Sequence, residues 1–445
     1  MCLHHYIANN SSHSEAQGHT PVAANDVFPW HLPVFDAHCH PTDTMRSISA
    51  LDTMRASAIV IMATRSQDQE LVAEVASVHG VKGRANLLDR EGAYWKGSHD
   101  NSGLVSAAGE VPKHAALRSC QVIPSFGWHP WFSYQLYDDV AAEPTYIPPA
   151  QSPTAGEVDE TALLAAKKLH YQAVLAQPPK DDDFVASLPT PVSLSLFISS
   201  TRNRLERYPQ ALVGEIGLDK AFRLPQRWDA GSAESRDDTL TPGGREGRLL
   251  SRYRVRMEHQ NVILRAQLRL AGEAGRPVSL HGVQAHGILY DTVSDFWKGY
   301  EKHVPSKREK RLVARGAEDE SDDEDANDPP EKPYPPRICL HSYSGPAQCL
   351  RQWLSPKIPA GIYVSVSTAV NFNTTSSRDK FADIVRAVPD DRILVESDLD
   401  CAGEKMDAAL EDMYRRVCEV KGWTLEDGVL RIARNMEHFI FGKKL

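Results

Sequence analysis

The chain has 445 residues, with Lys+Arg 50 against Asp+Glu 59, a formal net charge of −9 and 41 % hydrophobic residues. That mix belongs to a globular chain and excludes a collagen-like fibre, a wholly disordered polymer and a small disulfide-stapled domain. The acidic balance argues against a protein that coats nucleic acid through bulk charge, although an enzyme that meets phosphate locally through cations is untouched by it.

The opening stretch, MCLHHYIANNSSHSEAQG, has no basic segment leading into an apolar one, so no secretory signal is expected. No apolar run approaches the roughly 18 residues that span a bilayer, and no membrane partner is expected. The seven cysteines, at 2, 39, 120, 339, 349, 401 and 418, are odd in number and form no CxxC pair. They read as reduced thiols of a cytoplasmic or nuclear protein.

Residues 1–30 are polar with little periodicity and read as a flexible N-terminal tail. VFDAHCH (34–40) is the first strand, and ASAIVIMAT (56–64) the second. SQDQELVAEVASVHG (66–80) follows with helical periodicity and Ser66 as its N-cap. VIPSFGWHPW (122–131) and ALVGEIGLD (211–219) are the third and fourth strands. A long helical pattern over 248–274 ends at Gly275, just before RPVSLHG (276–282). RICLHSYSG (337–345), GIYVSVS (361–367) and RILVESD (392–398) complete the series.

Eight apolar strands alternating with helical patterns predict a parallel sheet buried on both faces, that is, an α/β fold closed into a (β/α)8 TIM barrel. A doubly wound open sheet is the structural alternative, but no Gly-rich phosphate loop follows the first strand. Residues 31–445 then form one domain, with insertions near 80–120, 137–192 and 222–247 and an acidic one near 303–336. Eight carboxylates and no basic residue lie between Glu318 and Asp328, so that tract should stay solvated and disordered. It alone accounts for nearly all of the net charge of −9, which leaves the barrel itself close to neutral.

Metal-competent side chains gather at the C-terminal ends of these strands, the face where such barrels carry their chemistry. His38 and His40 are two apart on an extended chain and share one face. Glu215, His281, His341 and Asp398 end the fourth, fifth, sixth and eighth strands. Six ligands exceed one tetrahedral zinc but suit two ions sharing a carboxylate. Glu215 is the natural bridge, with His38, His40 and Asp398 on one ion and His281 with His341 on the other. The imidazole-rich set favours two divalent ions of the Zn or Mn type, with Mg set by supply in the cell. Cys39 and Cys339, close to ligands in sequence, read as small core residues.

The motifs FDAHCH, SFGWHPW, VGEIGLD, HQNVILRAQLRLA with RPVSLHG, CLHSYSG, ILVESD and RIARNMEHFIFG occur in that order across 34–442. In this combination the chain resembles the TatD family of metal-dependent deoxyribonucleases, within the amidohydrolase-like hydrolases, and GEIGLDKAFRLP resembles its fungal branch. The resemblance implies that His38, His40, Glu215, His281, His341 and Asp398 hold metal. It also implies that His129 of GWHP lies near the scissile phosphate. Some fungal members are named for interaction with an anaphase-promoting-complex subunit, which implies a protein partner. Two departures touch the substrate pocket: HGVQA stands where the family usually has HCRDA, so that Val283 replaces a basic residue, and DLDCA replaces DAPYL after the eighth strand.

The expected reaction is phosphodiester hydrolysis of the 3′→5′ exonuclease type on DNA, with single strands or 3′ ends as substrate. Asp398 and Glu215 would act with the metals, Asp398 taking the water's proton, and His129 would contact the phosphate or protonate the leaving oxygen. Trp128 and Trp131 flank His129 and are expected either to stack a terminal base or to pack on the rim. Lys220, Arg223 and Arg227 are expected either to meet the nucleic-acid backbone or to stay solvated. The alternatives are hydrolysis of a non-nucleic-acid ester or amide, and a partner-binding relative with weak activity.

Overall fold

The computed structural model describes residues 27–83, 119–150, 159–228, 231, 236, 240–241, 243–305 and 332–442. Eight parallel strands form one sheet in sequence order. They are β1 (Phe35–Cys39), β2 (Ala58–Met62), β3 (Gln121–Phe126), β4 (Leu212–Asp219), β5 (Val278–Val283), β6 (Arg337–Leu340), β7 (Gly361–Val366) and β8 (Ile393–Val395). Runs such as AIVIM are buried along their whole length, as strands covered on both faces must be. The sheet closes just beyond β8, where the amide of Asp398 donates to the carbonyl of His38 at 3.0 Å and that of His40 to Leu399 at 2.7 Å. A (β/α)8 barrel is the result.

Helices α1 (Ser66–His79), α2 (Glu160–Val174), α3 (Leu194–Arg207), α4 (Met257–Glu273), α5 (His286–Ser294), α6 (Ala347–Trp353), α7 (Thr375–Ala387), α8 (Glu404–Lys421) and α9 (Leu425–Phe441) surround the sheet. Ile59, Ile61, Val122, Ile338, Leu340, Ile362 and Val364 share one apolar cluster with residues of these helices. Residues of the alternate parity, among them Val60, Ile123, Cys339, Tyr363 and Leu394, cluster with Met436, Phe439 and Ile440 of α9. Cys339 and Leu394 precede His341 and Glu396 by two and share their face, so this apolar plug lies inside the barrel beneath the polar end. Cys39 and Cys339 are both buried, as core residues should be.

Several local expectations shift. Helix α1 starts at Ser66 itself, with Arg65 rather than Ser66 in the N-cap position and no side-chain cap. Strand β3 stops at Phe126, because Pro130 and His129 open a 3-10 turn over Pro130–Gln135. The helix predicted from 248 begins at Met257; before it, Leu250 and Val255 make bridges to Pro225 and Leu175. Part of the stretch read as a tail is packed: Phe28 and Trp30 are buried, their rings meet at a tilt with centroids 4.7 Å apart, and Trp30 donates to Glu411 at 3.2 Å.

The insertion near 137–192 carries α2 and a short helix (Asp182–Ser187), and its Val192–Ser193 pairs with Leu136–Tyr137. The insertion near 222–247 leaves β4 and crosses to the ends of β1 and β2. There the amide of Thr241 donates to the carbonyl of Asp43 at 2.7 Å, and Nη2 of Arg65 donates to the carbonyl of Thr241 at 3.0 Å. Residues 84–118 and the acidic tract between 318 and 328 lie outside the described residues.

Candidate metal centre

The six side chains expected as ligands converge in one buried cluster, none more than 7 % exposed. Glu215 is the hub. Its Oε1 lies 2.6 Å from Nδ1 of His281, 2.8 Å from Nε2 of His341 and 3.2 Å from Nε2 of His129. Its Oε2 lies 3.4 Å from Nε2 of His38 and 3.5 Å from Nε2 of His40. Oδ1 of Asp398 is 3.5 Å from Nε2 of His40 and 4.0 Å from Nε2 of His38.

Among the described residues, three sets of side chains present donor atoms close enough to hold one ion: His38, His40 and Asp398; His38, Glu215 and His341; His129, Glu215 and His281. The first is the triad expected for one ion. The pair expected for the other, His281 and His341, meets with ring nitrogens 3.2 Å apart beside the same carboxylate oxygen. His129, expected only on the substrate, joins the cluster as well.

The rings are oriented from behind. Nδ1 of His38 meets the Ser279 hydroxyl at 2.9 Å, Nδ1 of His341 meets Glu396 at 3.2 Å, and Nε2 of His281 meets Asp219 at 3.2 Å. Partners of this kind fix ring rotation and leave the other nitrogen facing the centre. Oδ1 of Asp36 accepts from the amides of His38 and Ser397, each at 3.0 Å, and so ties β1 to the end of β8. Asp398 itself sits at φ 56, a left-handed conformation that Asp tolerates better than most residues.

Burial opposes the charge on Glu215, yet four imidazoles, His129, His341, His38 and His281, hold its carboxyl well below the ordinary range. Burial likewise opposes charge on His281, but Glu215 and Asp219 raise it to about 9. Burial dominates at His129 and depresses it to about 4, and it raises Asp36 to about 7. Oε2 of Glu215 and both carboxylate oxygens of Asp398 are buried without a hydrogen-bond donor. Stranded carboxylate oxygens beside converging imidazole nitrogens are costly unless a cation joins them, and that donor set fits a divalent transition metal.

Other expected residues fall elsewhere. Trp128 packs in an apolar cluster, as its rim-packing alternative has it: it is 2 % exposed, its Nε1 donates to the carbonyl of Phe132 at 2.8 Å, and its ring packs edge-on against Phe197 at 5.1 Å. Trp131 is the indole at the cluster, stacked on Phe222 at 4.9 Å and donating from Nε1 to Asp219 at 2.6 Å. Arg223 and Lys220 are exposed at the root of the insertion, and Arg227 pairs with Asp183 at 3.4 Å. Asp36, Asp219, Ser279 and Glu396 escape a search for strand-end ligands. Three of them were accessible to a period-two reading, since Asp36, Ser279 and Glu396 each precede a ligand by two residues.

The chain is 34 % identical over 407 residues to the Cut9-interacting protein scn1 of Schizosaccharomyces pombe, covering 92 % of this chain and 98 % of that one. It is 27 % identical over 326 residues to an uncharacterized deoxyribonuclease of Saccharomyces cerevisiae, covering 71 % and 80 %. A TatD-family hydrolase structure from Entamoeba histolytica aligns with a TM-score of 0.47 at 11 % identity, over 93 % of this chain and 99 % of that one. The TatD-related DNase family is matched across residues 35–440, and the chain belongs to that family of hydrolases, whose members are generally metal-dependent.

Proposed function

We propose that this chain is a dimetal deoxyribonuclease that hydrolyses phosphodiester bonds and releases nucleotides from 3′ ends. The observation that carries the reading is Glu215, a buried carboxylate facing five imidazoles with one oxygen lacking any donor. His38, His40, Glu215, His281, His341 and Asp398 would hold two divalent ions (Zn, Mn or Mg). When bound, such ions supply a hydroxide nucleophile near neutral pH and screen the charge developing on the phosphate.

Asp398 presents two unpartnered oxygens to the same space and serves as acceptor for the nucleophile's proton. His129 directs Nε2 into the cluster and contacts a phosphate oxygen. The stacked Trp131–Phe222 pair beside His281 supports an aromatic wall for a terminal base, a part expected of Trp128 and Trp131 alike. Arg223 and Lys220 stand exposed where a strand of DNA would leave. Similarity to a protein named for interaction with Cut9 supports a protein partner in addition to turnover, since the ligand set is complete.

Two equivalents of metal in the purified protein, and nucleotides released from single-stranded DNA, are expected; both should be lost in Glu215→Ala. No release by the metal-loaded wild-type protein would refute the reading. A second reading, hydrolysis of a non-nucleic-acid ester or amide, draws on Val283 standing where the family has arginine. Turnover of such a substrate, abolished by Glu215→Ala and with DNA untouched, would select it.

A further inference from the structure

Outside the metal cluster the chain carries one strongly cationic stretch. Between 245 and 256 five arginines face a single carboxylate, Glu246, in a chain whose net charge is −9. Residues 249–256 run extended between two neighbours. The amide of Ser251 donates to the carbonyl of Leu224 at 2.7 Å, that of Leu224 to Tyr253 at 2.9 Å, and that of Ala176 to Arg254 at 2.8 Å. Alternation along an extended chain then decides which side chains face out. Ser251, Tyr253 and Val255 are buried, whereas Arg252, Arg254 and Arg256 are exposed. Nε of Arg256 is taken up by the carbonyl of Leu175 at 3.0 Å. Arg252 leans over the Tyr253 ring at 5.3 Å. Arg227 pairs with Asp183 at 3.4 Å, but Arg252, Arg254, Arg223 and Lys220 join no ion pair among the described residues.

The stripe is tied to the metal cluster by two routes. Leu224, held by Ser251 and Tyr253, is preceded by Arg223 and by Phe222, whose ring stacks on Trp131 at 4.9 Å. Gln260, one turn beyond Arg256 in α4, holds the amide and the carbonyl of Asp219 at 2.8 and 2.9 Å. Arg252 and Arg254 therefore stand with Lys220 and Arg223 on the rim at the end of β4 that bears the cluster. We propose that Arg252 and Arg254, with Arg223, form a track for the phosphates of a single DNA strand whose end lies in the cluster. The substrate is then a strand of several nucleotides, and not a dinucleotide or a small ester. The inference rests on the nuclease reading above for the identity of the polymer. Two residues of extended chain advance about 6.6 Å, close to the separation of successive phosphates along an extended single strand. A guanidinium fork matches two oxygens of a phosphate and keeps its charge at every relevant pH. The adjoining Trp131–Phe222 pair favours a single strand over a duplex, because only an unpaired base offers its face for stacking.

The test uses the full-length, metal-loaded protein and phosphorothioate-linked thymidine strands that resist hydrolysis, with binding read by fluorescence anisotropy across a salt series. A strand of about 8 nucleotides, within the range of a single-strand site, should bind at least about 10-fold more tightly than a dinucleotide. Arg252→Gln with Arg254→Gln should lower the slope of log affinity against log salt by about 1.4, two lost phosphate contacts at about 0.7 each, and should remove most of the gain with length. Arg252→Lys with Arg254→Lys keeps the charge and should retain the slope. Arg416→Gln with Arg431→Gln removes the same charge from α8 and α9 and should bind as wild type does. Hydrolysis of bis(p-nitrophenyl) phosphate, too small to reach the track, should be the same in the glutamine pair as in wild type. An unchanged slope in the glutamine pair, an equal loss in the α8–α9 pair, or a parallel loss of small-ester hydrolysis would each overturn the inference. Binding that depends on length and on both arginines, with no nucleotide release from unmodified single-stranded DNA by the wild type, would uphold the track and refute the nuclease reading instead.

Discussion

Removing the carboxylate of Asp219 should weaken metal binding without touching a ligand. This side chain is 4 % exposed and accepts four hydrogen bonds. Oδ1 takes the amides of Ala221 at 2.7 Å and Phe222 at 2.9 Å, while Oδ2 takes Nε1 of Trp131 at 2.6 Å and Nε2 of His281 at 3.2 Å. Burial opposes its charge, but the bond from His281 and the His281 charge, with Trp131, hold it below the ordinary value, so it is ionised at neutral pH. Asp219→Ala strands all four donors. At about 1–3 kcal/mol for each buried orphan, less what water recovers at the base of the insertion, the apoprotein should lose about 3–5 kcal/mol. Asp219→Asn keeps the shape and separates the two effects. Its single carbonyl can serve the backbone amides, but its NH2 then faces Trp131 and His281, and the His281 ring loses its anchor. Metal affinity should fall about 10–100-fold, which is about 1.4–2.7 kcal/mol. Competition against a chromophoric chelator measures that loss, and thermal unfolding of the apoprotein measures the stability. An asparagine variant that binds its ions with wild-type affinity would refute the positioning role.

Gly217 has φ +155, and a Cβ there would lie 1.9 Å from the carbonyl oxygen of His281. Gly217→Ala must therefore push β5 away from β4, costing about 4 kcal/mol or more; soluble protein with a wild-type melting temperature would contradict this. Arg65 is fully buried between Asp43 at 3.1 Å and Asp68 at 2.9 Å and also holds the carbonyl of Thr241. Arg65→Met should cost about 3–5 kcal/mol by leaving two buried carboxylates uncompensated, and should speed proteolysis near 222–247; denaturant melts within 1 kcal/mol of wild type, by order of magnitude no change, would count against it. Burial pushes the Cys39 and Cys339 thiols far up, whereas Cys349 and Cys401 are half-buried. Brief alkylation of native protein should mark the latter two and spare the former until denaturant is added, and native labelling of Cys39 read by mass spectrometry would show the opposite.

The barrel could be read from sequence because parallel strands covered on both faces leave an unbroken apolar signature. AIVIM, VSLH and GIYVSV have no other economical explanation once helices separate them. Boundaries failed where apolar character outlasts the ladder. GWHPW continues the run of β3, yet Pro130 cannot extend a strand and His129 turns to cap the amide of Trp131. Residues 248–256 carry helical periodicity but are held extended by Pro225 and Leu175, partners far away in sequence. The same limit hid the path of the 222–247 insertion, because nothing local in TPGGREG announces that Thr241 binds Asp43.

Ligand identity and ligand role separate for a related reason. Which residues gather was readable, because a strand's end and its period-two face are local properties, and five strand ends pointed the same way. What each residue does once there depends on the atom behind it. His281 and His129 both approach Oε1 of Glu215, at 2.6 and 3.2 Å, and composition does not tell them apart. A carboxylate, Asp219, stands behind His281, and a backbone amide, that of Trp131, stands behind His129. The two histidines therefore differ in their second contacts, and not in their rings.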